Sequence, residues 1–182
     1  MADIFDEVSE ELKKDQLIQT WKKYSKVIII LTSLIIISLV TYQAYITWNK
    51  KRLEVISAQY FQALENLEEK NYSISHSLFL NNSQNHKSGY NILSIFGLAE
   101  SNYQNGKIEE MILNYKTIYD NESIDIYYRN LSRILSVLKD NSSSFDQQKL
   151  LLEPILKSPS LLQVLAAELE VLLLIKFDKI KE

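Results

Sequence analysis

VIIILTSLIIISLVTYQAYI, the twenty-residue stretch that begins at Val27 and ends at Ile46, contains no charged residue, no glycine and no proline. As an α-helix it would rise about 30 Å, which is the thickness of the hydrocarbon core of a bilayer. A buried core helix is the alternative, but such a helix is seldom apolar on every face over this length. The stretch therefore predicts a transmembrane helix over residues 27–46, with the lipid bilayer as its partner.

Aromatic residues lie near both ends of the predicted span. Trp21 and Tyr24 precede it, and Tyr42, Tyr45 and Trp48 lie at or beyond its other end, where aromatic belts contact the membrane interfaces. A cleaved signal peptide has an apolar core of only about 7–15 residues and a small-x-small cleavage site. The longer apolar run and the lack of such a cleavage site favour an uncleaved signal-anchor helix.

Positive charge is distributed unequally on the two sides of the span, with five lysines before it and three basic residues after it. Basic residues concentrate on the cytoplasmic side of a membrane helix, so the imbalance favours a cytoplasmic N-terminus. The chain then divides into a cytoplasmic tail (1–26), the span (27–46) and a larger domain outside the cytoplasm (47–182). The basic residues are Lys13, Lys14, Lys22, Lys23 and Lys26 before the span, and Lys50, Lys51 and Arg52 after it.

The N-terminal tail is acidic and amphipathic. Residues 1–26 include six acidic side chains, and Ile4, Val8 and Leu12 recur at roughly helical spacing among them. We expect a helix that lies along the membrane or is partly frayed. The tail also supports an alternative function, in which a structural or regulatory single-span protein recruits a partner through its cytoplasmic end.

Composition limits what the larger domain can do. From residue 50 onwards it carries 15 Lys and Arg against 17 Asp and Glu, a net charge of about −2, so we expect no nucleic-acid binding. The chain has no cysteine, which removes disulfides, thiolate zinc sites and cysteine nucleophiles. Only three glycines and two prolines occur, which favours helices over a sheet rich in turns.

Apolar residues after the span recur with helical spacing. Leu53, Ile56 and Tyr60 step by three and four, and no helix breaker occurs between Trp48 and Lys70, so we expect the membrane helix to continue to about Lys70. No segment alternates with a period of two. The predicted fold is all-α, with a single N-terminal transmembrane helix followed by antiparallel helix pairs in a right-handed α-solenoid. The later helices are predicted at 73–80, 90–103, 108–119, from 123, from 144 and at 161–177.

Turn and capping residues predict where these helices begin and end. Gly106 is expected to end a helix in the left-handed conformation, which costs glycine least. Ser123 is expected to cap the fifth helix. Ser144 and Gln147 have the spacing of a capping box, in which each residue bonds to the backbone of the other.

A tetratricopeptide pattern of 34 residues can be aligned with residues 92–125. Met111 replaces the usual alanine of the second helix, and the proline that closes the repeat is absent. A helical bundle with one chance match is the alternative. The matching positions are Ala99, Tyr103, Gly106, Tyr115 and Ile118.

Short motifs follow one another along nearly the whole chain: ADIFDEV at 2–8, EELKKD at 10–15, WKKY at 21–24, Gly89-Tyr90, Asn105-Gly106, Arg129, LEPI at 152–155, Ser158-Pro159 and AAEL at 166–169. In this order they resemble the tetratricopeptide-like membrane proteins related to YfgM. The resemblance implies a single-span inner-membrane protein with a cytoplasmic tail and a periplasmic helical repeat domain. It also implies an accessory role at the Sec translocon, with translocon subunits, periplasmic chaperones or client proteins as partners.

The same relatives carry a further helix pair after the position of Leu174. The sequence leaves open whether that terminal helix pair is missing, is contributed by a partner or belongs to a longer chain.

No catalytic constellation is evident. His76 and His86 are the only histidines and lack the spacing of a metal site. Glu109 and Glu110 are adjacent acids of the solvated type. There is no phosphate-binding glycine loop and no nucleophile elbow. We therefore expect no catalytic residue, cofactor, metal or small-molecule substrate.

Tyrosine is abundant, with 11 residues in the chain. Tyrosine combines a large contact area with a polar tip, and it is frequent at binding surfaces. Packing between helices is the simpler explanation of the same residues, and contact with a peptide is the alternative that stays open. The candidate peptide-binding aromatics are Tyr90, Tyr103, Tyr115, Tyr119, Tyr127 and Tyr128.

Overall fold

The computed structural model describes residues 2–84, 89–157, 159 and 161–179, without the side chains of residues 2–12. Within these ranges the secondary structure is helical and contains no strand. The predicted all-α class is thus confirmed. The helices are α1 (Ala2–Glu68), α2 (Tyr72–Ser83), α3 (Tyr90–Gln104), α4 (Ile108–Tyr119), α5 (Ile126–Lys139), α6 (Phe145–Leu156) and α7 (Gln163–Lys176).

The chain forms two compact units, residues 1–52 and residues 53–182. The first unit is the N-terminal part of α1, and the second contains the rest of α1 together with α2 to α7. Helix α1 runs unbroken to Glu68, as the lack of helix breakers predicted. Lys70 then adopts the left-handed conformation at φ 64°, and the amide of Asn71 donates to the carbonyl of Asn66 at 2.8 Å. These features end α1 and turn the chain into α2.

Neighbouring helices in the second unit pack in chain order. Helices α2 to α7 each contact the next one along the chain. Side chains of α2 also reach backbone carbonyls of α1: the Ser75 hydroxyl donates to Ala63 at 2.9 Å, and the Asn82 amide donates to Ile56 at 3.1 Å. Contacts between successive elements are the mark of a helical repeat.

Three apolar clusters follow one another along the unit. Since each helix buries only one side against the next pair, the core is divided into consecutive layers instead of one central mass. The first layer contains Ala63, Phe79 and Leu98, and the second contains Ala99, Met111 and Tyr115. The third contains Ile134, Val137, Phe145, Leu152, Ile155, Ala166, Leu169 and Leu173.

Two of the three predicted helix ends are confirmed, and one is wrong. Gly106 has φ 73° after α3, and Ser144 and Gln147 form the full capping box of α6. Helix α5 is capped by Asp125, whose carboxylate accepts from the amide of Tyr127 at 2.8 Å. Ser123 lies before it in a turn, because its amide donates to the side chain of Asn121 at 3.0 Å.

Candidate functional site

A groove of about 350 Å³ opens on the second unit. It is formed by α1, α3 and α5, which are the first helices of three successive pairs, with one residue from α4. The lining residues are Tyr60, Leu64 and Leu67 of α1; Leu93, Phe96, Gly97 and Glu100 of α3; Tyr115 of α4; and Tyr128, Leu131, Leu135 and Lys139 of α5.

Most of the groove lining is apolar and only partly covered. Tyr60, Leu64, Phe96 and Leu131 are all half-buried, so part of each side chain is available to another molecule. A concave apolar surface of this kind suits a helix or an extended segment of a partner protein. The groove is therefore the best candidate for a binding site in this unit.

One ion pair joins the two walls of the groove. The Lys139 ammonium on α5 donates to the Glu100 carboxylate on α3, and it lies 4.4 Å from the centre of the Tyr103 ring. Gln104 donates a further hydrogen bond to Glu100 at 2.8 Å. Burial alone would raise the pKa of Glu100, but the bonds from Lys139 and Gln104 and the lysine charge together lower it below its ordinary value. Glu100 therefore stays ionised, and the pair leaves little net charge in the groove.

Two tyrosine hydroxyls of the groove, those of Tyr60 and Tyr115, have raised pKa values. Burial, and then the negative charge of Glu100, raise the pKa of Tyr115 well above its ordinary value. Burial, followed by the neighbouring Tyr90, raises the pKa of Tyr60. Neither group is prepared to act as a base near neutral pH. The groove offers shape, apolar surface and hydroxyl groups for binding.

Comparison with known proteins assigns the fold to a family. The tetratricopeptide repeat-like domain family matches residues 19–151, more than two thirds of the chain. The chain belongs to this family. The match begins before the apolar stretch and ends within α6, so α7 lies outside it. No curated protein and no solved structure gives a significant match. Tetratricopeptide-like domains mediate protein–protein interactions and are typically scaffolds without catalysis.

Four of the six predicted tyrosines lie in or beside the groove of this tetratricopeptide-like domain. Tyr115 and Tyr128 line it, although Tyr115 is only 1% exposed and belongs mainly to the core. Tyr103 packs beneath Lys139, and Tyr90 contacts the ring of Tyr60 with 5.3 Å between centroids. Their contact with a peptide stays a prediction.

The other two tyrosines do not line the groove. Tyr119 packs against Arg133, whose guanidinium lies 5.5 Å from the ring centre and donates to the Tyr119 carbonyl at 3.2 Å. Tyr127 is 45% exposed, and its ring lies 5.7 Å from that of Tyr128. Adjacent tyrosines on α5 thus occupy different surroundings.

Several groove residues were not predicted from the sequence. Tyr60 was predicted only as one of the residues with helical spacing after the span. Glu100 and Lys139 are 39 positions apart, so no local pattern links them. The tetratricopeptide alignment was the one signal available, because it predicts that the first helices of successive pairs face a common groove.

Among the described residues, the histidine and the acids named as catalytic candidates are not gathered into one site. His76 is half-buried on α2, and Glu109 and Glu110 lie in the first turn of α4. His86 lies outside the described residues. Within the described part of the chain, no group of three His, Asp or Glu side chains could hold a metal ion.

The apolar stretch of the first unit is a candidate membrane span by length and composition. Apart from the half-buried Ile46, its large apolar side chains are exposed, from 45% for Ile28 to 64% for Tyr42, whereas a core helix would be buried. The hydroxyls of Thr32 and Thr41 donate to the carbonyls of Ile28 and Ile37, each at 2.8 Å. These polar groups are thus satisfied within the helix, as lipid surroundings require.

Proposed function

We propose that this chain is a membrane-anchored scaffold whose helical repeat domain binds protein partners through the groove of α1, α3 and α5. The observation that carries the proposal is the partly covered apolar lining of that groove on a tetratricopeptide-like domain. Glu100 and Lys139 neutralise each other, so a charged group of an occupant would be buried in the groove without a partner. The occupant should therefore be mainly apolar.

The proposed arrangement is a cytoplasmic tail at 1–26, a transmembrane helix at 27–46 and a periplasmic domain at 47–182. The exposed apolar side chains of the first unit support the membrane helix. The larger number of lysines before the span supports the orientation. Tethering would raise the effective concentration of the domain near other membrane complexes, so that weak contacts suffice for binding.

The proposed partners are the protein-export channel of the inner membrane, periplasmic chaperones and emerging client proteins. This choice rests on the resemblance to the YfgM-related proteins. An apolar groove also fits it, because unfolded exported chains expose apolar segments before they fold. The same groove would accept such segments without strict sequence specificity.

Photo-crosslinking in cells tests the proposal. The probe is placed at Leu131 in the groove and at Tyr42 in the span, and adducts are identified by mass spectrometry. Leu113, which is 60% exposed on α4 and outside the groove, provides the matched control position. Adducts from Leu131 and Tyr42 to channel subunits, chaperones or exported proteins, with few from Leu113, are the expected result.

Two outcomes would contradict the proposal. Equal adducts from Leu131 and Leu113 would show that the groove is not the binding surface. Adducts only to cytoplasmic proteins would overturn the topology and favour the alternative in which the acidic tail recruits a partner.

A further inference from the structure

Helix α7 has two apolar sides, and the described residues cover only one of them. Ala166, Leu169 and Leu173 are buried in the third apolar cluster, against residues of α5 and α6. The opposite side carries a second set of large apolar residues that are exposed. These are Val164 (70%), Leu165 (45%), Val171 (55%), Leu172 (56%) and Ile175 (55%).

A helix that is apolar on both sides is normally buried on both sides. Val171, Leu172 and Ile175 lie within about one turn of one another, and Val164 and Leu165 lie two turns before Val171 and Leu172, so all five share one side of α7, with Glu168 between the two groups. We call this stripe, with the charged residues within it, the outer face of α7. A contiguous apolar patch of this kind marks an interaction surface.

The charges on the outer face are arranged symmetrically. Glu168 and Lys176 are both exposed, and each lies four residues, or about one helical turn, from Leu172. Glu168, Leu172 and Lys176 therefore form a single i, i+4 ridge, with Val171 and Ile175 in the neighbouring ridge. An antiparallel copy of the same helix, centred on Leu172, would present the opposite charge at each end of this ridge.

We propose that the outer face of α7 binds the same face of a second copy of the chain, about a twofold axis that passes close to Leu172. A twofold contact joins each patch to itself. Leu172 then contacts the partner subunit's Leu172, and Glu168 pairs with the partner subunit's Lys176 at both ends. Val171 and Ile175 fill the space between the helices.

The ammonium of Lys176 can accommodate this pairing. It donates to the Asp140 carbonyl at 3.2 Å and lies 3.3 Å from the side-chain oxygen of Asn141. An ammonium has three donors, so one remains for the carboxylate of the second copy. The carboxylate of Glu168 in turn obtains a cation where the apolar stripe would otherwise bury it alone.

Charge complementarity favours a second copy over a lipid surface. A helix that lies on an anionic bilayer presents basic residues beside its apolar face. The outer face of α7 instead carries one carboxylate for each ammonium, and Glu168 lies within the stripe. A bilayer would repel that carboxylate, whereas an antiparallel copy pairs it.

Disulfide trapping tests the geometry. The chain has no cysteine, so Leu172→Cys can be introduced alone into the full-length protein in detergent or nanodiscs. Near a twofold axis the two Cβ atoms come within disulfide range, about 3.5–4.5 Å. We expect rapid formation of a covalent dimer, at least roughly ten times faster than for Leu150→Cys, a residue 66% exposed on α6. Equal rates for the two variants, or no dimer from either, would overturn the proposal.

Charge exchange gives a second test that does not depend on a cysteine. Glu168→Lys removes two attractive pairs and places like charges together, so the dimerisation constant measured by sedimentation should weaken at least about fivefold. Glu168→Lys combined with Lys176→Glu should restore most of the loss, and circular dichroism checks that each variant is folded. Failure of the folded double variant to recover would contradict the antiparallel arrangement.

A lipid surface is the competing occupant, and the same cysteine variant distinguishes it. If Leu172→Cys stays monomeric but becomes inaccessible to a water-soluble thiol reagent in nanodiscs of anionic lipid, the membrane covers the outer face and the dimer is wrong. If the cysteine stays fully reactive in every condition, no occupant covers the face and the proposal also fails.

Discussion

Gly97 of α3 packs directly against the ring of Phe79 of α2. A methyl group added at Gly97 would lie 2.5 Å from two carbons of the ring, and the ring is fully buried. This distance is well below van der Waals contact, so only glycine lets the two helices approach as closely as they do. Gly97 also lines the groove, which connects the packing of the first helix pairs to the shape of the candidate site.

Gly97→Ala should therefore destabilise the repeat domain. Alanine is the better helix former by about 1 kcal/mol, but overpacking against a buried ring costs about 1–3 kcal/mol. We expect a net loss of about 1 kcal/mol in the free energy of unfolding, measured by denaturation followed in the near-ultraviolet circular dichroism of the full-length protein.

The matched control is Gly89→Ala, because nothing lies within 4 Å of a methyl group at that position. It should change stability by less than about 0.5 kcal/mol. Combining Gly97→Ala with Phe79→Leu should cost less than the sum of the two single changes, since the smaller side chain relieves the clash. Strict additivity would show that the two residues do not press on each other.

Asp125→Ala should destabilise α5 by about 1 kcal/mol, the usual cost of removing a helix cap. The carboxylate of Asp125 accepts from the amide of Tyr127 at 2.8 Å, and alanine leaves that amide without its bond. Ser123→Ala keeps the backbone amide that bonds to Asn121, so its effect should stay within about 0.5 kcal/mol. Thermal unfolding of the two variants compares them directly; a larger loss for Ser123→Ala would contradict the assignment of the cap.

The ion pair between Glu100 and Lys139 should make stability depend on pH in a defined direction. The pKa of Glu100 is lowered on folding, because the bonds from Lys139 and Gln104 outweigh the effect of burial. A lowered carboxyl pKa adds stability above the ordinary value of 4.5, and that stability is lost as the pH falls through the folded-state pKa. The free energy of unfolding of the wild type should exceed that of Glu100→Gln by about 1 kcal/mol near pH 7.

The difference in unfolding free energy between wild type and Glu100→Gln should shrink as the pH falls below 4.5. Urea denaturation at a series of pH values measures it. Repeating the comparison in a Lys139→Met background provides the control, since the main partner of Glu100 is then absent. There the advantage of glutamate over glutamine should be much smaller at pH 7. A difference that grew towards acidic pH would contradict the assigned direction.

Tyr128→Ala and Tyr127→Ala form a matched pair for the groove. Both residues are tyrosines on α5, but only Tyr128 lines the groove, while Tyr127 is exposed outside it. Truncation of an aromatic at the centre of an interface costs about 1–2 kcal/mol or more. We therefore expect Tyr128→Ala to lower partner crosslinking from a probe at Leu131 by at least about fivefold and Tyr127→Ala by less than about twofold.

If both variants lost crosslinking equally, at unchanged expression and helicity, the groove would not be the binding surface. A loss for Tyr127→Ala alone would instead assign binding to the outer side of α5.

Local sequence patterns determined where many of the helices and turns of this protein lie. The uncharged stretch from Val27 to Ile46, the helical spacing after it, the turn at Gly106 and the capping box of Ser144 each depend on residues only a few positions apart. Such interactions form within one helix or one turn, so they can be predicted without knowledge of the fold. The tetratricopeptide pattern around Ala99 indicated the family by the same local means.

Only the tertiary structure decided which residues meet. It joined Glu100 to Lys139 across 39 positions, placed Phe79 against Gly97, separated Tyr128 from Tyr127, and left the outer face of α7 uncovered. Ser123 and Asp125 are both residues that could cap α5. The side chain of Asn121 bonds to the amide of Ser123 in a turn, and Asp125 is the cap. The physical reason is that a helix's own period shows which side is apolar, while the packing of successive pairs decides what that side contacts.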